Sequence, residues 1–153
     1  MSKPSSDAQV RRAQLSDVDS VAPLFDAYRQ FYRLDSDLAL CRDYLQARLV
    51  HDESVIFIAE QGDSTVAFCQ MYPTFSSLSA GRVWILYDLF VAPEARGLGL
   101  AQALMAQAES FARAGGASSL SLETARDNLA AQALYESRGY QRDNDYFSYS
   151  LSL

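Results

Sequence analysis

Between residues 95 and 101 the chain reads Ala-Arg-Gly-Leu-Gly-Leu-Ala, where an apolar run (residues 83–91) meets an amphipathic stretch (residues 101–111). These residue types at this spacing suit a diphosphate. The first turn of a helix leaves backbone N–H groups unpaired and carries partial positive charge, so an anion docks there if nothing bulky intervenes. Gly97 and Gly99 remove the bulk and permit unusual φ values, while Arg96 adds a permanent charge with a planar donor fork. The expected ligand is a cofactor bearing a pyrophosphate.

Spacing separates the loop types that could do this. A P-loop needs Lys followed by Ser or Thr after its second glycine, and Leu100 and Ala101 stand there instead. A dinucleotide fingerprint needs a third Gly or Ala where Gln102 lies, and no early βαβ unit precedes it. What remains is Arg/Gln-x-x-Gly-x-Gly/Ala, met by Arg96, Gly99 and Ala101. This pattern resembles the coenzyme A loop of the GNAT superfamily of N-acetyltransferases. Two flanking segments strengthen the resemblance. Tyr87-Asp88-Leu89-Phe90-Val91 followed by Ala92-Pro93 looks like that family's fourth strand, and Asn128 through Tyr135 to Gly139-Tyr140 looks like its second signature helix. The motifs span roughly residues 82–142.

The resemblance implies an α/β (α+β) GNAT fold. Its mixed, twisted central sheet would have about six to seven strands, flanked by four helices, with strands 4 and 5 splayed. It implies acetyl-CoA as cosubstrate, held by Leu89, Phe90 and Val91 on the strand, by Arg96, Gly97, Leu98, Gly99, Leu100 and Ala101 in the loop, and by Asn128, Ala131 and Tyr135 on the last helix. In the family a tyrosine at the place of Tyr135 protonates the coenzyme A sulfur, and an asparagine at the place of Asn128 often bonds the cofactor. Asn128 and Tyr135 are seven residues apart, about two helical turns, and so share a face. A core aromatic beside Leu134 is the other reading of Tyr135.

Acetyl transfer also needs a neutral amine and a polarised thioester carbonyl. A backbone N–H between Leu89 and Val91, where ladder pairing is expected to lapse, would serve the carbonyl. Polyamine acetyltransferases share much of this strand's wording but carry a glutamate where Tyr87 stands. Asp88, an acid inside an apolar run, is the candidate base if burial raises its pKa; a carboxylate that merely accepts neighbouring N–H bonds is the equal alternative. For the acceptor, Tyr28 and Tyr32 would form an aromatic wall for a cation, with Asp35 or Asp37 as countercharge and Tyr87 lining the pocket. The alternative for Tyr28 and Tyr32 is plain core packing. The acceptor is thus read as a small primary amine such as a polyamine or an amino acid, attacked directly in a ternary complex. A protein or peptide acceptor, or a coenzyme A-binding module without turnover, are the rivals. Arg113, Arg126, Arg138 and Arg142 are equal candidates for the cofactor's 3′-phosphate.

Composition narrows the classes. The 153 residues, 49% hydrophobic, predict one enzyme domain spanning residues 1–153. A net charge of −6 and the lack of a Lys/Arg block speak against nucleic acid. A single histidine, His51, and two isolated cysteines, Cys41 and Cys69, predict no metal site and buried thiols in a cytoplasmic protein. Residues 1–7 are polar without an apolar leader core, and no apolar run is long enough for a bilayer. A homodimer is the assembly that the resemblance implies.

These side chains need positioning elements. A first strand is expected over residues 8–13. A helix should start at Ser16 with Asp19 three residues on, its apolar positions Val18, Val21, Phe25, Tyr28 and Tyr32 keeping helical spacing. Residues 37–50 predict a second helix with Leu38, Leu45 and Leu49 inward. Strands at 54–60 and 65–71 flank a short turn, residues 72–81 form a loop, and residues 82–91 form a central strand. The loop's helix ends at Gly115-Gly116. A strand at 118–124, a helix capped at Asp127 or Asn128 and closed by Gly139, and terminal strands at 140–142 and 147–153 complete the pattern.

Overall fold

The computed structural model describes residues 8–153; the polar stretch Met1 to Asp7 lies outside the described residues. Two compact units divide the chain, one running up to Leu122 and the other Glu123–Leu153. The first contains β1 (Ala8–Arg12), α1 (Val18–Phe31), α2 (Leu38–Val50), β2 (Val55–Gln61), β3 (Ser64–Ser76), β4 (Gly81–Val91), α3 (Leu100–Ala114) and β5 (Ser119–Ser121). Its five strands lie in the order β1-β2-β3-β4-β5. The first four are antiparallel neighbours, and β5 is parallel to β4, a pairing that requires the α3 crossover between them.

Helices cover both faces of this sheet, which is why β2 reads as a continuous apolar run rather than an alternating one. Ile56, Ile58 and Phe68 pack with Val21, Ala22 and Phe25 of α1 and with Cys41 and Leu45 of α2. On the opposite face Phe57 and Trp84 meet Phe111 of α3 edge to face. Cys41 and Cys69 are buried free thiols.

Several boundaries differ from the sequence expectations. Gln14 N–H donates to the Asp17 carboxylate at 2.7 Å, so a 3-10 turn (Leu15–Asp17) precedes α1 and the pair is two residues earlier than Ser16 and Asp19. Of the expected inward leucines of α2, Leu45 is buried and Leu49 packs at the core's margin, but Leu38 is exposed at the first turn, where Asp37 caps Leu40 N–H at 3.0 Å. Such a cap contributes about 1 kcal/mol. Tyr72 to Ser76 is not a loop. It continues β3, pairing with β4 from Tyr72↔Ile85 to Ser76↔Gly81, and only residues 77–80 turn. Pro73 is tolerated because β2 pairs with β3 only as far as Met71, so the strand has a single neighbour at Pro73.

The second unit contains α4 (Leu129–Ser137). Asn128 caps it, its side chain accepting from Ala131 N–H at 3.1 Å. Gly139 at φ +93° ends it with paired bonds, Tyr140 N–H to Tyr135 C=O and Gly139 N–H to Glu136 C=O, both 3.1 Å. Residues 140–142 and 147–153 form no strands, since they have no ladder partner, and among the described residues the sheet has five strands rather than six or seven. No described helix is long and apolar enough to cross a membrane.

Candidate active site

The strand-to-helix loop is built as its glycines require. Both Gly97 and Gly99 sit at φ +78°, in the left-handed region, and a Cβ built on either meets no heavy atom within 4 Å. The room above this backbone is therefore open to a ligand. Gly99 is the N-cap of α3, no side chain caps the turn, and the first intrahelical bond is Ala103 N–H to Gly99 C=O at 3.1 Å. The N–H groups of Leu100, Ala101 and Gln102 precede that bond and point out of the helix end. Ala95 and Leu100 are buried and pin the loop, whereas Leu98 at its tip is exposed. Arg96 donates from Nε to Val91 C=O at 3.1 Å and lies 5.8 Å from the centre of the Phe90 ring. That bond leaves the guanidinium's two terminal nitrogens to meet an anion. Open glycine backbone, helix N–H groups and a fixed guanidinium fit the diphosphate of coenzyme A.

Upstream, β4 has two edges of different character. Toward β3 it is paired through Val91; toward β5 pairing covers only Val83–Ile85. The expected lapse is thus on the β5 side alone. Ala92 N–H donates to Val66 C=O at 2.8 Å, so alternation turns Phe90 and Asp88 toward β3 and directs the N–H and C=O of Leu89 and Val91 to the open edge. The register shift lies earlier than residues 89–91. Gln70 faces Asp88 while Met71 faces Leu86, which makes Tyr87 the extra residue of a β-bulge. The Tyr28 hydroxyl donates to its carbonyl at 3.2 Å, satisfying a group that the ladder leaves out.

Asp88, next to the bulge, is buried. Burial pushes its pKa up from the usual carboxylate range, against opposing hydrogen bonds from Gln70 and Tyr28. Gln70 Nε2 donates to Asp88 Oδ2 at 2.7 Å. Tyr28 has a single hydroxyl proton, so it serves either the Tyr87 carbonyl or the carboxylate at one time. Burial, followed by the Asp88 charge, pushes the Tyr28 hydroxyl up as well.

Aromatic rings surround this acid. Tyr28 and Tyr32 are 5.0 Å apart edge to face, Tyr72 and Tyr87 are 5.6 Å apart, and the Tyr44 and Tyr72 hydroxyls are hydrogen-bonded at 2.7 Å. Tyr28 is half-buried against the core, while Tyr32 and Tyr87 are 58% and 66% exposed, which decides against plain core packing for Tyr32. The expected countercharges are elsewhere: Asp37 is occupied as the cap of α2, and Asp35 is exposed. Gln70, Tyr72 and Tyr44 were not legible as site residues. Their only sequence signal is a glutamine within an apolar strand and tyrosines whose partners lie on other elements.

The second unit carries the remaining expected residues. Asn128 is spent through Oδ1 as the cap of α4, with its NH2 still available to a ligand, and Ala131 occupies the first turn. Tyr135 is half-buried, 6.2 Å from the Tyr140 ring. Among the candidate arginines, Arg142 is held by Gln132 at 2.8 Å and Glu136 at 3.0 Å. Among the described residues no cluster of three or more His, Cys, Asp or Glu can hold a metal.

Known proteins match this architecture. The uncharacterized N-acetyltransferase YhfO of Bacillus subtilis (strain 168) is 45% identical over 144 residues, 94% of this chain and 97% of its own. A crystal structure of a probable acetyltransferase superposes with a TM-score of 0.89 at 41% identity, covering 95% of this chain and 97% of that one. The aminoglycoside N-acetyltransferase AAC(6′)-Iy, solved in complex with CoA, shares the fold at a TM-score of 0.81 and 17% identity, with all of both chains covered. The profile of the Acetyltransferase (GNAT) family matches residues 19–140, and the chain therefore belongs to that family of acetyl-CoA-dependent N-acetyltransferases.

Proposed function

We propose that this enzyme acetylates a small, positively charged primary amine, with Asp88 as the base and Tyr135 as the acid. The observation that carries this reading is a buried carboxylate at the β4 bulge, with Tyr28 and Tyr72 packed around it and exposed Tyr32 and Tyr87 beyond them. Aromatic faces attract an ammonium group, and a carboxylate whose pKa is raised can take its proton at neutral pH. The open edge at Leu89 and Val91 supplies N–H donors for the thioester oxygen and for the amides of the pantetheine arm. Gly97, Gly99, Arg96 and the first turn of α3 take the diphosphate.

In the reaction the amine nitrogen bonds to the thioester carbon and the carbon–sulfur bond breaks. Asp88 accepts the amine proton, directly or through the Tyr28 hydroxyl. Tyr135 gives its proton to the departing sulfur. No covalent bond to the protein forms. The proposed assembly is a cytoplasmic homodimer with one enzyme domain per chain, which sedimentation velocity and cell fractionation test. The acceptor class is tested by thiol release from acetyl-CoA with polyamines, amino acids, aminoglycosides and basic peptides. Turnover confined to small amines supports the reading. Turnover confined to peptides overturns the acceptor class, and coenzyme A binding without turnover on any of them overturns the catalytic assignment.

A further inference from the structure

Asp88 ends a buried polar chain that neither the loop nor the tyrosines require. Ser54, in the turn before β2, donates from Oγ to Gln70 Oε1 at 2.8 Å, and Gln70 Nε2 donates to Asp88 Oδ2 at 2.7 Å. All three side chains are at most 3% exposed. Gln70 stands directly across the ladder from Asp88, immediately beside the bulge. A glutamine side chain can present either its oxygen or its NH2 group, and the charged Asp88 carboxylate, which only accepts, selects the NH2. The Ser54 hydroxyl then donates to the oxygen at the other end and so supports that orientation. Reversal would set oxygen against oxygen at Asp88.

We infer that Gln70, held in this orientation by Ser54, is a positioning residue that keeps the Asp88 carboxylate charged and fixed in direction, so that it is ready to accept a proton. The inference rests on the reading of Asp88 as base. The titratable groups that sense the Asp88 charge are otherwise neutral: Tyr28 from α1 and Tyr72 from β3, and Cys69, which lies on the other face of β3 with its thiol on the Leu104 carbonyl at 3.9 Å. Burial holds the Cys69 thiol up to about 12 and raises the Tyr72 hydroxyl, with the Asp88 charge adding to each, so neither ionises near neutrality. Arg48 of α2 reaches this constellation through Tyr44 and Tyr72, its guanidinium 4.8 Å from the Tyr44 ring. Tyr87 contributes its carbonyl, already taken by Tyr28. Removing the Gln70 donor takes away a hydrogen bond to the charged form and leaves the burial penalty in place.

The test is the pH dependence of kcat/KM in Gln70→Met, which keeps side-chain length without a donor, together with a carbon-13 NMR titration of the Asp88 carboxyl in the same protein. The acid limb and the Asp88 titration should both move to higher pH by about one unit or more. Ser54→Ala should shift them in the same direction by less, because the amide is then free to turn. It also keeps the inference testable if Gln70→Met folds poorly. A lowered plateau with both titrations unmoved would assign Gln70 a purely structural role and overturn the inference. If the Asp88 titration moves while the rate profile does not, Gln70 does tune Asp88, and it is the reading of Asp88 as base that fails.

Discussion

Asp26 and Asp88 are both buried carboxylates in the first unit, and their environments push them in opposite directions. Asp26 of α1 collects the Ser36 hydroxyl at 2.7 Å, Asp37 N–H at 2.8 Å, Gln30 Nε2 at 3.1 Å and the Cys41 thiol at 3.7 Å. Led by the Ser36 bond, these donors hold its pKa below the usual range despite burial. Asp88 has the Gln70 bond and a share of Tyr28, and burial wins. Burial alone does not mark a catalytic acid. What separates the two is how many donors meet the charged form: Asp26 is satisfied and pins the turn between α1 and α2, whereas Asp88 meets fewer donors, as its proposed role as base requires.

That contrast sets the order of expected effects. Asp88→Asn should lower kcat by roughly 100-fold or more, as loss of a general base does, while stability at neutral pH holds or rises. The sign follows from linkage. Because the folded pKa is raised, the native state binds the proton more readily, so the penalty of burying the charge is full above the folded value and disappears as pH falls into the ordinary carboxylate range. Thermal melts of the two proteins should therefore converge in acid. A melt gap independent of pH would break the comparison.

Tyr135→Phe should cost roughly 100-fold in kcat with coenzyme A affinity unchanged by calorimetry. Equal rates for the two proteins would remove Tyr135 as the acid. Gly99→Val should weaken coenzyme A binding by tenfold or more. The side chain fills the open cradle and is forced toward the left-handed region at a cost of about 1–2 kcal/mol. Undiminished affinity in the folded variant would sink the loop assignment.

Asp26→Asn should leave kcat within a few-fold of wild type but destabilise the fold by about 1–3 kcal/mol. Here the linkage sign is reversed. A depressed folded pKa contributes stability above the unfolded value and loses it as pH falls through the folded one, so the gap should close on acidification. Denaturant titrations across pH read this directly. The smallest effect is Tyr28→Phe. It removes one hydroxyl from the bulge carbonyl and from Asp88, and should raise the apparent pKa of the acid limb while changing the plateau by a few-fold.

Locally encoded features were read well from residue order. The glycines at residues 97 and 99 permitted the left-handed backbone found at the start of a helix, and Asp127 or Asn128 with Gly139 announced the two ends of α4, Asn128 being the cap, because caps depend on neighbours within one turn. The β-branched and aromatic run at 54–60 formed β2 as expected, and its burial on both faces is a finding of the structure. Features that depend on partners far along the chain were not legible. The extension of β3 through Pro73 to Ser76, the exposure of Leu38 and the absence of terminal strands each follow from which segment lies alongside.

The sequence by itself pointed to the proposed diphosphate seat, since a glycine pair and a following amphipathic helix act within a dozen residues. It also marked Asp88 as an acid in apolar surroundings without choosing between base and structural support. Only the tertiary structure bears on that choice. It sets Gln70 across a one-residue bulge from Asp88, seats Ser54 behind Gln70, and gathers tyrosines from α1, α2, β3 and β4 around them. The balance of burial against hydrogen bonding that separates Asp88 from Asp26 is summed over side chains from distant parts of the chain, and spacing along the chain carries no record of that sum.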